Sequence, residues 1–124
     1  LRIPESGAVA HKPANLSHEQ AAAICDGAMM AAMYLRQVDI ERRPRILING
    51  ASGAIGSAAV QLAKARGALV TAVCKTEAVE IMQGLGADRI VDYRRDDFTA
   101  TEAVYDVVLD VVPTSSLGRC RRLL

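Results

Sequence analysis

The stretch of this chain best suited to chemistry is Asn49 to Ser57, NGASGAIGS. It follows a short aliphatic run, RILING (45–50), and precedes a segment with helical spacing. Small residues between a strand and a helix expose consecutive backbone N–H groups at the positive end of the helix, the arrangement that a dinucleotide pyrophosphate needs. In this reading Gly53 lets the backbone approach the phosphates and Gly56 lets the helix lie close on the strand. Ala51 stands where G-x-G-x-x-G has its first glycine, with Gly50 just before it. The plainer alternative is a tight turn closing a βαβ unit.

About 20 residues further on, sites for NAD usually place an Asp or Glu that accepts a hydrogen bond from the ribose 2′-hydroxyl. This chain has Cys74, Lys75 and Thr76 there. An acid would repel a 2′-phosphate, whereas Lys75 and the Thr76 hydroxyl suit one, which favours NADPH over NADH. Glu77 argues the other way, although an acid in the first turn of a helix is favourable in itself. His11, His18 and the scattered cysteines lack paired ligand spacing, so no metal site is expected. None of Tyr34, Tyr93 and Tyr105 has Lys four positions later, which removes the proton-transfer pair of a short-chain dehydrogenase. No catalytic residue is expected within the chain.

The elements that must position these residues follow from patterning. With 124 residues, 51% of them hydrophobic, the chain can bury one core. Ser17 and Gln20 form a capping box, predicting a long helix to about Gln37 with an Ala- and Met-rich face packed against a neighbour. RILING is the first strand, AIGSAAVQLAKARG (54–67) a helix of about three turns, and ALVTAVC (68–74) the second strand. TEAVEIMQGLG (76–86) is a helix, RIVDY (89–93) the third strand, and YDVVLDVV (105–112) the fourth, with a short crossover between the last two. Such alternation makes an α/β fold: a Rossmann-like parallel sheet of about four strands, with helices on both faces, preceded by the long helix.

Composition narrows the partners. A net charge of +1 gives no field that would favour nucleic acid or an anionic membrane. No segment reaches the length of a membrane span, and residues 1–7 lack a signal-peptide pattern. Cys25, Cys74 and Cys120 are odd in number and widely spaced, so they read as buried reduced thiols of a soluble, cytoplasmic protein. Lacking an initial Met and ending in RCRRLL, the chain reads as a fragment or an isolated domain.

Four stretches carry a resemblance to a known family: KPANLSHEQAAA (12–23), ILINGASGAIGSAAVQLAKARGALV (46–70), LGADRIVDYRRDDF (85–98) and YDVVLDVV with SSLGRCRRLL (105–124). Together they resemble the cofactor domain of the medium-chain dehydrogenase/reductase superfamily, in its zinc-independent, zeta-crystallin-like quinone oxidoreductase branch. The resemblance implies that NADPH lies across the carboxyl ends of the strands and delivers hydride to a quinone, enone or related carbonyl. It makes residues 1–16 the lead-in from a missing GroES-like catalytic domain, and residues 17–124 an NAD(P)-binding domain truncated at its C-terminus. It also implies a homodimer through the edge of a sheet completed by later strands.

Residue by residue, the resemblance assigns Ser52, Gly53, Ala54 and Ile55 to the pyrophosphate, and Lys75 and Thr76 to the 2′-phosphate pocket. It lays Tyr93 against that pocket and places Val111 and Val112 on the nicotinamide side. Departures are Met30 where the family commonly has threonine, Cys25 where it often has proline, Asp26 near a zinc ligand position of zinc-dependent relatives, and Glu77 where a cation is common. The competing readings are a zinc-type alcohol dehydrogenase-like member, a non-catalytic NAD(P)-binding module, and a βαβ domain that has lost its nucleotide.

Overall fold

A computed structural model describes residues 2–4, 6, 7, 9–39, 42, 44–112 and 115–124. Four strands, β1 (Arg45–Asn49), β2 (Leu69–Cys74), β3 (Arg89–Asp92) and β4 (Val107–Asp110), form one parallel sheet in the order β3-β2-β1-β4. The registers pair Ile48 with Ala72 and with Leu109, so β1 is the central strand on which both halves are built. Its residues 46–49 are all buried, as a run of aliphatic residues in a parallel sheet requires.

Alternation along the strands sorts side chains onto two faces. Ile46, Ile48, Val70, Ala72 and Cys74 point to one core, which α3 (Ala54–Ala65) covers through Ala59, Val60 and Ala63, and α4 (Val79–Gly84) covers through Met82. Leu47, Val73 and Val91 point to the other. There the cover is Phe98, Ala103 and Tyr105 of the β3-to-β4 crossover, with Leu123 just after the short α5 (Leu117–Arg121). The crossover supplies turns rather than a helix, and α4 is preceded by one 3-10 turn at Thr76–Ala78.

The expected long helix is present as two, α1 (His18–Ile24) and α2 (Gly27–Leu35). The Ser17–Gln20 capping box starts α1 as predicted, but α1 buries no residue. Helix α2 does the packing, through the stripe Gly27, Ala31 and Leu35. A Cβ on Gly27 would stand 2.5 Å from the Ala54 carbonyl oxygen, so α2 lies hard against the start of α3. The chain breaks at Cys25–Asp26, between the two helices and just before this contact. The break leaves Cys25 exposed, contrary to the expectation of a buried thiol, while Cys74 and Cys120 are buried. Among the described residues, no helix is long and apolar enough to cross a membrane.

Candidate functional site

The turn after β1 is built around glycine. Gly50 has φ +81°, and a Cβ there would stand 2.8 Å from Val112 Cγ1 and 3.0 Å from Val111 Cγ2, so neither backbone nor space admits a side chain. Behind it the buried Ala51 donates its N–H to the Val73 carbonyl (3.0 Å), and Gly53 N–H closes the turn on the Gly50 carbonyl (3.0 Å). Gly53 then caps α3 without a side-chain hydrogen bond. A Cβ on Gly56 would stand 2.2 Å from the Gly50 oxygen, so the helix rests directly on the turn. The first-turn N–H groups of α3, at Ala54, Ile55 and Gly56, have no intrahelical acceptors, and the positive end of the helix dipole coincides with them.

This turn opens onto a cleft of about 920 Å³ at the carboxyl ends of the strands. Asn49, Gly50, Ser52 and Gly53 reach it from the turn after β1, Lys75 and Glu77 from beyond β2, Tyr93 and the residues that follow it from beyond β3, and Val112 from beyond β4. It therefore lies where the chain leaves β1 to one side for β2 and returns on the other as β4, the switch point at which open α/β sheets take ligands.

Of the expected contacts, Ser52, Gly53, Lys75, Tyr93 and Val112 line this cleft together. Ala54 and Ile55 are in the adjoining first turn of α3, with Gly56 buried beneath. Val111 packs over Gly50 beside Val112. Cys74 is fully buried, and burial, then the Asp92 carboxylate, pushes its thiol pKa up. Thr76 lies in a neighbouring surface groove, where its hydroxyl donates to Asp92 (2.5 Å). That bond, aided by the Arg94 N–H, holds the Asp92 carboxyl below its ordinary range.

Charge in the cleft is nearly self-compensated. Its cations are Lys75, Arg94, Arg95 and Arg119. Arg94 pairs with Glu77 (2.9 Å) and Arg95 with Asp92 (3.6 Å), while Arg119 pairs with Asp97 and donates to Thr99 (2.7 Å). Among the described residues, Lys75 alone of the four has no carboxylate partner. Sequence reasoning missed Asn49, Arg94, Arg95 and Arg119. Asn49 is 3% exposed and donates from Nδ2 to Asp110 Oδ1 (2.9 Å), tying the ends of β1 and β4. The Arg-Arg pair directly after β3 was a readable signal, because residues following a parallel strand emerge at its ligand-binding end. Arg119 gave no such signal, since it comes from the other end of the chain.

A parallel sheet in this order, with a glycine turn and a helix N-terminus opening onto its carboxyl edge, defines a Rossmann-like domain of the dinucleotide-binding type. Residues 54–124 match the zinc-binding dehydrogenase family. The chain belongs to that family, and with it to the medium-chain dehydrogenases and reductases. It is 39% identical over 116 residues to the mitochondrial NAD(P)H oxidoreductase RTN4IP1 of Bos taurus, covering 87% of this chain and 29% of the relative. To the 2-methylene-furan-3-one reductase of Solanum lycopersicum it is 36% identical over 110 residues, covering 87% of this chain and 28% of the relative. Among solved structures, the quinone oxidoreductase of Thermus thermophilus, also determined with NADPH, superposes with a TM-score of 0.75 at 31% identity, covering 90% of this chain and 38% of that one. The Coxiella burnetii quinone oxidoreductase gives 0.77 at 30% identity, covering 83% and 33%. The chain thus spans under a third of the length of these two curated relatives. Among the described residues there is no group of three or more His, Cys, Asp or Glu side chains that could hold a metal ion.

Proposed function

We propose that this chain is the NADPH-binding part of an oxidoreductase that reduces a quinone, an enone or a related carbonyl without zinc. The observation that carries the reading is Lys75, a cation without a carboxylate partner among the described residues, on the same cleft as the Gly50–Gly56 turn and the start of α3. An adenosine 2′-phosphate finds its counter-charge at Lys75, with Tyr93 beside it, and a pyrophosphate finds Ser52, Gly53 and the N–H groups of Ala54 and Ile55. Val111 and Val112, crowding Gly50, offer an apolar wall to the nicotinamide end. Cys74 contributes backbone only, and Thr76 acts through Asp92.

Bound NADPH supplies the hydride, and these residues supply binding, orientation and exclusion of water. The proton donor and most of the substrate cleft come from outside this chain. The names of the quinone oxidoreductases and of the furanone reductase support the choice of acceptor. A homodimer through an edge of the completed sheet belongs to this reading, since an unpaired edge is a template for a second copy. Light scattering that stays monomeric at high concentration would count against it. Two buried cysteines and one exposed, all free, suit a reducing compartment, and we assign the protein to the cytoplasm; the mitochondrial name of RTN4IP1 makes cell fractionation the check.

Titration with NADPH and NADH, followed by calorimetry, tests the cofactor reading. The expected result is tighter binding of NADPH and a smaller preference in Lys75→Ala. Equal affinities in the wild type, or a preference undiminished in Lys75→Ala, would refute it.

A further inference from the structure

Glu77 and Arg94 come from different strand ends, one just beyond β2 and the other just beyond β3, and they meet within the cleft. Glu77 Oε1 lies 2.9 Å from Arg94 Nη1, and each side chain is 56% exposed. We propose that this ion pair sets the cofactor preference: Arg94 is a second cation for the 2′-phosphate, held by Glu77 until the phosphate takes its place. The inference rests on the NADPH reading above and goes beyond it, because it gives the acid at position 77 a role.

Three features single the pair out from the other cleft cations. Arg119 is braced by both Asp97 and Thr99 and is not free to exchange, while Arg95 makes only a 3.6 Å contact with Asp92, with its side chain 74% exposed, and so is not paired across the cleft as Arg94 is. Arg94 differs, because its backbone is anchored while its side chain is held only through an exposed ion pair among the described residues. Its N–H donates to Asp92 Oδ1 (3.0 Å), whereas among the described residues its guanidinium has only the exposed Glu77. An exposed pair of this kind is weak. A phosphate dianion, which a guanidinium binds through two parallel N–H bonds, is the stronger partner.

Exchange has a consequence for selectivity. Once Arg94 moves to the phosphate, the Glu77 carboxylate is left without its partner in a cleft now carrying the phosphate, and like charges oppose each other. A 2′-hydroxyl makes no such demand: Arg94 stays on Glu77, and a carboxylate can accept from a ribose hydroxyl. Glu77 therefore damps a preference that Lys75 and Arg94 create.

The test is calorimetric titration of the full-length polypeptide and its variants with NADPH and NADH, with 2′,5′-ADP and 5′-AMP as probes free of the nicotinamide end. Both side chains are half exposed, so Glu77→Gln and Arg94→Ala should melt near the wild-type temperature. Glu77→Gln should raise the NADPH-to-NADH affinity ratio about threefold to tenfold, and Arg94→Ala should lower it about tenfold. Arg94→Lys, which keeps the charge but loses the fork, should fall between Arg94→Ala and wild type. If the wild type binds both nucleotides and the ratio is unchanged in Glu77→Gln and Arg94→Ala, the role of the pair is overturned and the NADPH reading stands. If the wild type binds neither, that reading falls and the pair's role falls with it.

Discussion

A methyl group at position 56 has nowhere to go. It would stand 2.2 Å from the Gly50 carbonyl oxygen and 2.7 Å from the Ala51 Cα, both backbone atoms of a turn held by its own hydrogen bonds. Gly56→Ala should therefore cost about 2–3 kcal/mol, read as a lower urea midpoint, because a packed backbone cannot shift cheaply. Gly84, the last residue of α4, has nothing within 4 Å of its missing Cβ. Gly84→Ala should raise stability by about 0.5–1 kcal/mol, since alanine is the better helix former there. Opposite signs at the two glycines check the packing of α3 on the turn. The role of Gly56 is legible from its place in the motif. Gly50 reads in the sequence only as a neighbour of Ala51, yet it takes the positive φ.

At the scale of elements, one buttress joins the end of α3 to the starts of β2 and β3. Lys64 Nζ lies 2.8 Å from both carboxylate oxygens of Asp88. Asp88 accepts from the Val70 N–H (2.7 Å) and returns its own N–H to the Val70 carbonyl (2.9 Å). Burial pushes the Asp88 carboxyl up, but Lys64 and the Val70 N–H outweigh it and hold its pKa below the usual value of 3.8. A carboxyl depressed in the folded state adds stability above its unfolded pKa and loses it as pH falls through the folded one. Unfolding midpoints should therefore fall below about pH 4. Asp88→Asn should remove this part of the acid sensitivity and cost about 1 kcal/mol at neutral pH, a modest figure because the pair is partly exposed and screened. Neither partner is legible as structural in the sequence, since Lys64 and Asp88 stand 24 residues apart. The split of α1 from α2 is equally hidden, as is the close approach of Gly27 to Ala54, 27 residues further along the chain.

Across the whole molecule, the cleft gathers residues from positions 49 to 119, so its ligand should bind only the folded chain. NADPH at about a hundred times its Kd should add about 2.7 kcal/mol and raise the melting midpoint by several degrees, with NADH at the same concentration adding less. A midpoint unmoved by either nucleotide would contradict the proposed function. The order of strands and helices, the parallel sheet and the place of the glycine turn are all written in local signals: aliphatic runs such as RILING, the capping box at Ser17, and glycines at strand-to-helix junctions. Lys75 and Tyr93 are marked in the same way, because residues just past a parallel strand emerge at the ligand end. Which charges are already spoken for emerges only on folding. Thr76, read from sequence as a phosphate contact, donates its hydroxyl to Asp92, and Glu77 and Arg94, 17 residues apart, face each other. Pairing of side chains depends on distances between strand ends, set by sheet register and crossover path, and no spacing along a single chain encodes them.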